Sequence, residues 1–257
     1  MTIDQRYVSL PDKVKQSIEE LTMLLSDCLA EHLIGVYLNG SISLSAFNPK
    51  TSDIDVLCIV RILTDQQRKM ISDAYNRIKL HSPNKIELFV IYETVLTNFS
   101  YPTPCELYLN GEEDKTTKFE SYDIAAILEM TRLHGITLIG KDPIDIIKGN
   151  YSNYFLKSII HDALWSVNNI EKGPTEGYCE IPAYAVSCFC RVLAYVKEKQ
   201  ILSKLNAIDW AYTNLPKDYN SLLESTRIKL STDTSQQVSC KLLKDFAAYY
   251  LLVVRDA

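Results

Sequence analysis

No apolar run in the sequence approaches the roughly 20 residues that span a bilayer, so no membrane-embedded segment is expected. The opening MTIDQRYVSL lacks the charged-then-apolar layout of a secretory signal. Basic charge is not in excess either. Lys and Arg number 27 against 32 Asp and Glu, a net charge of −5, which offers no electrostatic footprint for nucleic acid and is compatible with a cationic partner. Zinc patterns are missing: Cys188-Phe189-Cys190 is not a zinc spacing, and no second pair complements it. The seven cysteines lie mostly among apolar neighbours and read as reduced core thiols. His32, His81, His134 and His161 share no ligand spacing, and neither Ser-His-Asp nor Cys-His chemistry has support. What remains is the composition of an ordinary soluble globular protein, 47% hydrophobic and 23% charged over 257 residues, enough for one large domain or two modest ones, and a cytoplasmic location is expected.

Periodicity divides the chain. Val14, Ile18, Leu21, Leu25 and Cys28 recur at helical spacing to about Leu33, after Pro11. Strands are expected at Ile34–Leu38, Asp53–Val60 and Ile86–Tyr92, with a helix over Leu63–Leu80 and a loop over Gly40–Ser52. Ser100–Lys118, with two prolines and a charged cluster, reads as loop or flap; Ser121–His134 reads as helix, and GITLIG follows as a short apolar piece. After about Ser152 every long segment has helical period, and no strand candidate of comparable quality occurs. The fold class is therefore α+β: a mixed-sheet domain over residues 1–150 and an all-helical domain over 151–257. Ligand sites often lie between such domains. Trp165 and Trp210 fall on helical apolar faces and read as core.

The chemistry concentrates in YLNGSISLSAFNPKTSDIDVLCIV. Asp53 and Asp55, at i and i+2 of a strand, point to one face, and Glu87 is an isolated acid in the apolar strand IELFVIY. Three carboxylates on one sheet face are costly unless something positive sits among them. Hard oxygen donors suit Mg²⁺, which binds through one or two carboxylates plus substrate phosphates. Gly40-Ser41 could supply a backbone N–H and a hydroxyl to phosphate oxygens. A blander account makes Asp53 a solvated acid, Asp55 an exposed alternate and Glu87 an edge residue; the Gly-Ser element ahead of the acids argues against it.

These residues carry a resemblance. Gly-Ser, a loop, D-x-D on the next strand and a third acid on a later one resemble the nucleotidyltransferase fold of the DNA polymerase β superfamily. More closely, YLNGSISLSAFNPKTSDIDVL, IELFVI, YPTPCELYL, DIAAILEMTRLHGITLIGKD and CRVLAYVKEKQILSKLNAIDWAYTNLP are similar to segments of the aminoglycoside adenylyltransferases that act on spectinomycin and streptomycin. The resemblance covers nearly the whole chain. It implies transfer of AMP from ATP to a drug hydroxyl in the cytoplasm, by a protein expected to be a monomer. Asp53 and Asp55 fall on the family's magnesium pair, with Glu87 the third acid and general base. Gly40, Ser41 and Ser52 fall near the triphosphate, and Arg191 and Lys204 on the basic pair that reaches ATP phosphates.

The chain also departs from the family. CELYLNGEEDKTT contains no Trp where streptomycin-accepting members carry one, and EGYCEIPAYAVSCFCR has Glu176 and Glu180 where they place aspartates. No glycine follows Gly40 in the loop, where the family has two. Spectinomycin is therefore expected over streptomycin. Glu180, Glu176, Glu112 and Asp162 are the candidate acids for the amines of a cationic drug. Two other readings stand beside this one: the same fold acting on another small molecule or on a protein side chain, and an ATP-binding protein without catalysis.

Overall fold

The computed structural model describes residues 4–255. Its contacts divide the chain into two compact units, with the division falling between Tyr154 and Phe155. The first unit begins with a short helix α1 (Gln5–Val8), then α2 (Asp12–Leu29) and strand β1 (Leu33–Leu38). A single turn α3 (Gly40–Ser43) follows, then β2 (Ile54–Val60), α4 (Asp65–Lys79) and β3 (Ile86–Tyr92). Next come β4 (Thr103–Cys105), β5 (Leu107–Leu109), β6 (Phe119–Ser121), α5 (Ile124–His134), β7 (Ile136–Ile139) and α6 (Pro143–Ile146).

Five of these strands form one sheet in the order β5-β3-β2-β1-β7. Only β2 and β3 run parallel; the other neighbours are antiparallel. The sheet is covered on both faces, which explains why its central strands are nearly continuous apolar runs. Val56, Cys58 and Val60 of β2 pack toward Val14, Ile18, Leu21 and Leu25 of α2 and Ile71, Tyr75 and Ile78 of α4. The alternate residues Leu57 and Ile59 pack with Phe89, Ile91 and the α5 residues Ile124 and Leu128. Each of these buried aliphatic side chains contributes about 1.5–3 kcal/mol of transfer free energy. Thr64 and Gln67 start α4 with a reciprocal capping box.

In the second unit α7 (Ser152–Lys172), α8 (Ala183–Glu198), α9 (Lys204–Asn214), α10 (Asn220–Thr232) and α11 (Cys240–Arg255) surround a core built on Val186, Phe189, Leu193, Phe246 and Tyr250. The Phe189 and Tyr250 rings stack with centroids 4.5 Å apart. None of the helices among the described residues is long and apolar enough to cross a membrane.

The structure corrects several expectations. Asp53 precedes β2, which starts at Ile54, and the expected Gly40–Ser52 loop opens with α3. Inside the expected flap, β5 joins the main sheet against β3 and β4 pairs with β6; at three residues each, they are too short for alternation to stand out. GITLIG supplies strand β7. The second unit is not all-helical: β8 (Tyr178–Glu180) and β9 (Gln237–Ser239) form an antiparallel ribbon whose mostly exposed residues give no apolar pattern. Trp165 is 62% exposed, because the buried stripe of α7 runs through Ala163, Ser166, Val167 and Ile170 and leaves it to one side. Trp210 is partly buried against the second core, as expected.

One buried ion pair anchors the sheet edge. Arg68 of α4 donates from Nη2 to Glu106 Oε2 at 2.5 Å and from Nη1 to the Glu106 carbonyl. Glu106 is buried and sits between β4 and β5. Removing one partner of such a pair leaves an uncompensated charge, whereas replacing both by apolar groups is often neutral. Arg68→Met should therefore lower stability by about 3–5 kcal/mol, and Arg68→Met with Glu106→Leu should recover most of the loss. Urea unfolding midpoints check this; a single variant as stable as the parent would remove the pair from its anchoring role.

Candidate active site

Two parallel strands set the acids side by side. The β2–β3 register pairs Asp55 with Glu87. Side-chain alternation puts Asp55 on the face of Leu57 and Ile59, and Glu87 on that of Phe89 and Ile91, so both acids lie on the α5 side of the sheet. Asp53 lies in the same field. Burial alone would lower the affinity of Lys85 for its proton, yet the Glu112 carboxylate beside it, with Asp53 and Glu87 nearby, raises it. That cation tempers the repulsion among the acids.

Gly40 presses against Asp55. Its φ is +60°, a conformation glycine adopts without steric cost, and a Cβ there would lie 1.8 Å from Asp55 Oδ2. The neighbouring Asn39 N–H donates to the Asp55 carbonyl at 3.0 Å, fastening α3 to β2 beside the acid. Ser41 Oγ is buried and has no hydrogen-bond partner among the described residues. Such a group calls for a ligand or a water. Ser52, by contrast, closes its own loop: its Oγ accepts from the Asn48 N–H at 2.9 Å, and its carbonyl accepts from Asn84 at 2.8 Å.

Sequence reasoning missed Tyr108. On β5 it faces Phe89 in register, its ring 4.5 Å from that of Phe89. Its hydroxyl donates to Glu87 Oε1 at 2.6 Å and accepts from Asn110 Nδ2 at 2.9 Å. Burial, followed by the Glu87 carboxylate, pushes the phenol well above its ordinary range, so it stays a donor. The bond fixes one oxygen of Glu87. No local signal marked it, because Leu-Tyr-Leu is too short to read as a strand inside a segment taken as flap.

In the second unit Arg191 and Lys204 stand around Tyr184. Arg191 of α8 lies 3.9 Å from Asp162 and donates from Nη2 to Cys188 Sγ at 3.1 Å, while its buried Nε has no partner among the described residues. Tyr184 donates to Asp162 Oδ2 at 2.7 Å. Lys204, the first residue of α9, holds its ammonium 5.2 Å from the Tyr184 ring centre. Asp162, a candidate for drug amines, is thus the counter-ion of Arg191.

The other candidate acids are dispersed. Glu112 pairs with Lys85 at 3.0 Å in the first unit, and Glu180 with Lys229 at 2.6 Å in the second. Glu176 is exposed.

No three His, Cys, Asp or Glu side chains among the described residues converge into a preformed metal cage. Mg²⁺ does not require one, because it takes one or two carboxylates and completes its shell with water and phosphate oxygens. The hard oxygens of Asp53 and Asp55, the bare α-carbon of Gly40 against Asp55 and the orphaned Ser41 hydroxyl fit that ion and a phosphate.

Gly40→Ala should cost about 1–3 kcal/mol, because the methyl group must displace the Asp55 carboxylate. Chemical denaturation measures it; a loss below about 0.5 kcal/mol, within ordinary surface variation, would show that the turn can move away.

Likenesses to known proteins bear on this geometry. Residues 152–252 match the family model described as Aminoglycoside adenylyltransferase, C-terminal domain. The chain is 27% identical over 225 residues to a spectinomycin 9-adenylyltransferase of Staphylococcus aureus strain Mu50, covering 82% of this chain and 83% of that protein. The same figures hold for its counterpart in strain N315. The fold is shared with the spectinomycin adenyltransferase AAD(9) from Enterococcus faecialis, whose crystal structure is with ATP and spectinomycin. That likeness has a TM-score of 0.76 at 16% identity and covers 92% of this chain and 98% of that one. The chain is thus similar to aminoglycoside adenylyltransferases over most of its length, and its residues 152–252 match the C-terminal domain of that family.

Proposed function

We propose that the protein transfers AMP from ATP to a hydroxyl of an aminocyclitol or aminoglycoside antibiotic, with spectinomycin preferred to streptomycin, and so confers resistance. The observation that carries this reading is the Asp55–Glu87 register pair with Gly40 seated against Asp55. In this reading residues 1–150 form the nucleotidyltransferase domain and 151–257 the helical domain that engages ATP and drug. A need for ATP goes with a cytoplasmic enzyme, and it acts as a monomer.

Asp53 and Asp55, with Glu87 on the same face, are the residues that would hold Mg²⁺, which when bound neutralises charge on the triphosphate. Glu87 takes the proton of the acceptor hydroxyl through the oxygen that Tyr108 leaves open. The hydroxyl oxygen bonds to the α-phosphorus, the bond from that phosphorus to the β-phosphate bridging oxygen breaks, and pyrophosphate departs. Ser41 Oγ and the Gly40 N–H contact phosphate oxygens, while Ser52 holds the loop behind them. Arg191 and Lys204 neutralise the departing pyrophosphate. The unpartnered Arg191 Nε supports that role, as does a Lys at a helix N-terminus, where the macrodipole disfavours a cation that binds nothing. Little covalent work is asked of the protein; positioning and electrostatics do most of it.

The preference for spectinomycin rests on charge. Glu112 and Glu180 are already neutralised by lysines, and Asp162 by Arg191, which leaves Glu176 to meet drug amines. A guanidinium-rich acceptor would find few acids there, and the segment after Glu106 has no Trp to stack on it.

Pyrophosphate release from purified protein with Mg²⁺ and ATP, against spectinomycin, streptomycin, kanamycin and lincomycin, tests the proposal. Release is expected with spectinomycin and not with an Asp53→Ala control. Release with lincomycin alone, or with none, would move the acceptor to another class. Glu87→Gln should keep ATP binding and lose about 10²–10⁴-fold in turnover; activity within about threefold of the parent would end its role as base. Tyr108→Phe should cost about tenfold in kcat, and an unchanged kcat would separate Tyr108 from catalysis.

A further inference from the structure

The α3 turn carries Gly40 and Ser41 yet spans only four residues, and a helix so short does not hold itself together. Most of its carbonyls are satisfied locally. Gly40 O accepts from the Leu44 N–H at 3.2 Å and from Ser43 Oγ at 2.9 Å, Ser41 O from the Ala46 N–H at 2.9 Å, and Ile42 O from the Ser45 N–H at 3.2 Å. The Ser43 carbonyl is held from far away in sequence. Arg6 Nη1 donates to it at 2.5 Å and, with the same nitrogen, to the carbonyl of His134, the last residue of α5, at 2.7 Å.

Arg6 is itself fixed. Asp4 Oδ1 accepts from its backbone N–H at 2.8 Å and from Nε at 3.0 Å, and Asp4 Oδ2 accepts from Nη2 at 2.6 Å. The guanidinium holds the Asp4 carboxyl below the usual carboxylate range. A single planar cation, clamped by one carboxylate, thus joins the C-terminal carbonyls of two helices, where the backbone dipoles favour positive charge.

We infer that Arg6 is a positioning residue for the nucleotide: it sets the seat of the Gly40–Ser43 turn, and through it the place of Ser41 Oγ and the Gly40 N–H against Asp55. The inference rests on the reading of that turn as the triphosphate contact. Arg6 touches no reacting atom in this account, so its loss weakens ATP binding rather than proton removal.

Two measurements test it on the full chain. In the first, backbone amide hydrogen exchange at Leu44, Ser45 and Ala46 is compared between the parent and Arg6→Ala. Exchange faster by about tenfold and concentrated at these amides is expected; unchanged exchange, or a uniform rise across the first unit, overturns the inference. In the second, steady-state kinetics should show KM for Mg·ATP raised about tenfold, with kcat and the acceptor KM within about threefold. A lower melting temperature and smaller active fraction with an unchanged ATP KM would reduce Arg6 to a structural contact and overturn the inference. Arg6→Lys keeps the charge but loses the fork. It serves in place of Arg6→Ala should that variant fail to fold, and less than half of the ATP KM defect should be rescued; full rescue overturns the need for a guanidinium. If the parent shows no ATP-dependent turnover with any acceptor, the proposed function fails, and the exchange measurement alone decides the role of Arg6.

Discussion

Everything at the site depends on two parallel strands that carry carboxylates in the same register position. Asp55 and Glu87 cannot move apart, because β2 and β3 are hydrogen-bonded along their whole length and buried on both faces. Like charges held so close repel, and the surrounding residues distribute that repulsion rather than remove it. Lys85 brings a cation near Asp53 and Glu87, Tyr108 gives Glu87 a donor, and Gly40 brings backbone rather than a side chain against Asp55. A strand pairing that a stability argument alone would avoid is kept.

The second unit solves the opposite problem with the same means. There the group to be held is a cation, Arg191, and it is kept among Asp162, Cys188 and Tyr184 with one nitrogen unsatisfied. Each unit thus gathers charged groups in one place, acids in the first and a guanidinium in the second. In the first unit the edge strand bearing Tyr108 is itself secured by the Arg68–Glu106 pair, so a buried salt bridge remote from the acids helps to place the donor to Glu87.

Much of this was legible in the sequence, for identifiable reasons. The central strands are long and apolar, so Ile34–Leu38 and Ile86–Tyr92 stood out, and the register of Asp55 with Glu87 continues the pattern of acids they interrupt. Segments of three residues carry too little periodicity, so β4, β5, β8 and β9 were hidden, and Tyr108 with them. Helix-face assignment failed at Trp165 because a large apolar side chain was weighed above its angular position on α7. Pairings between distant residues, such as Arg6 with Ser43 or Glu180 with Lys229, leave no local signature at all.

The misplaced tryptophan has a consequence of its own. The chain's two Trp residues, Trp165 and Trp210, both belong to the unit after Tyr154, one at the surface and one half-buried. Intrinsic tryptophan emission is therefore blind to the unit that bears the acids. A fluorescence melt reports only the helical half, and any gap between it and a circular-dichroism melt marks how independently the two halves unfold. Acrylamide, a collisional quencher, would reach Trp165 well before Trp210, so the two emitters in one unit can be told apart without labelling.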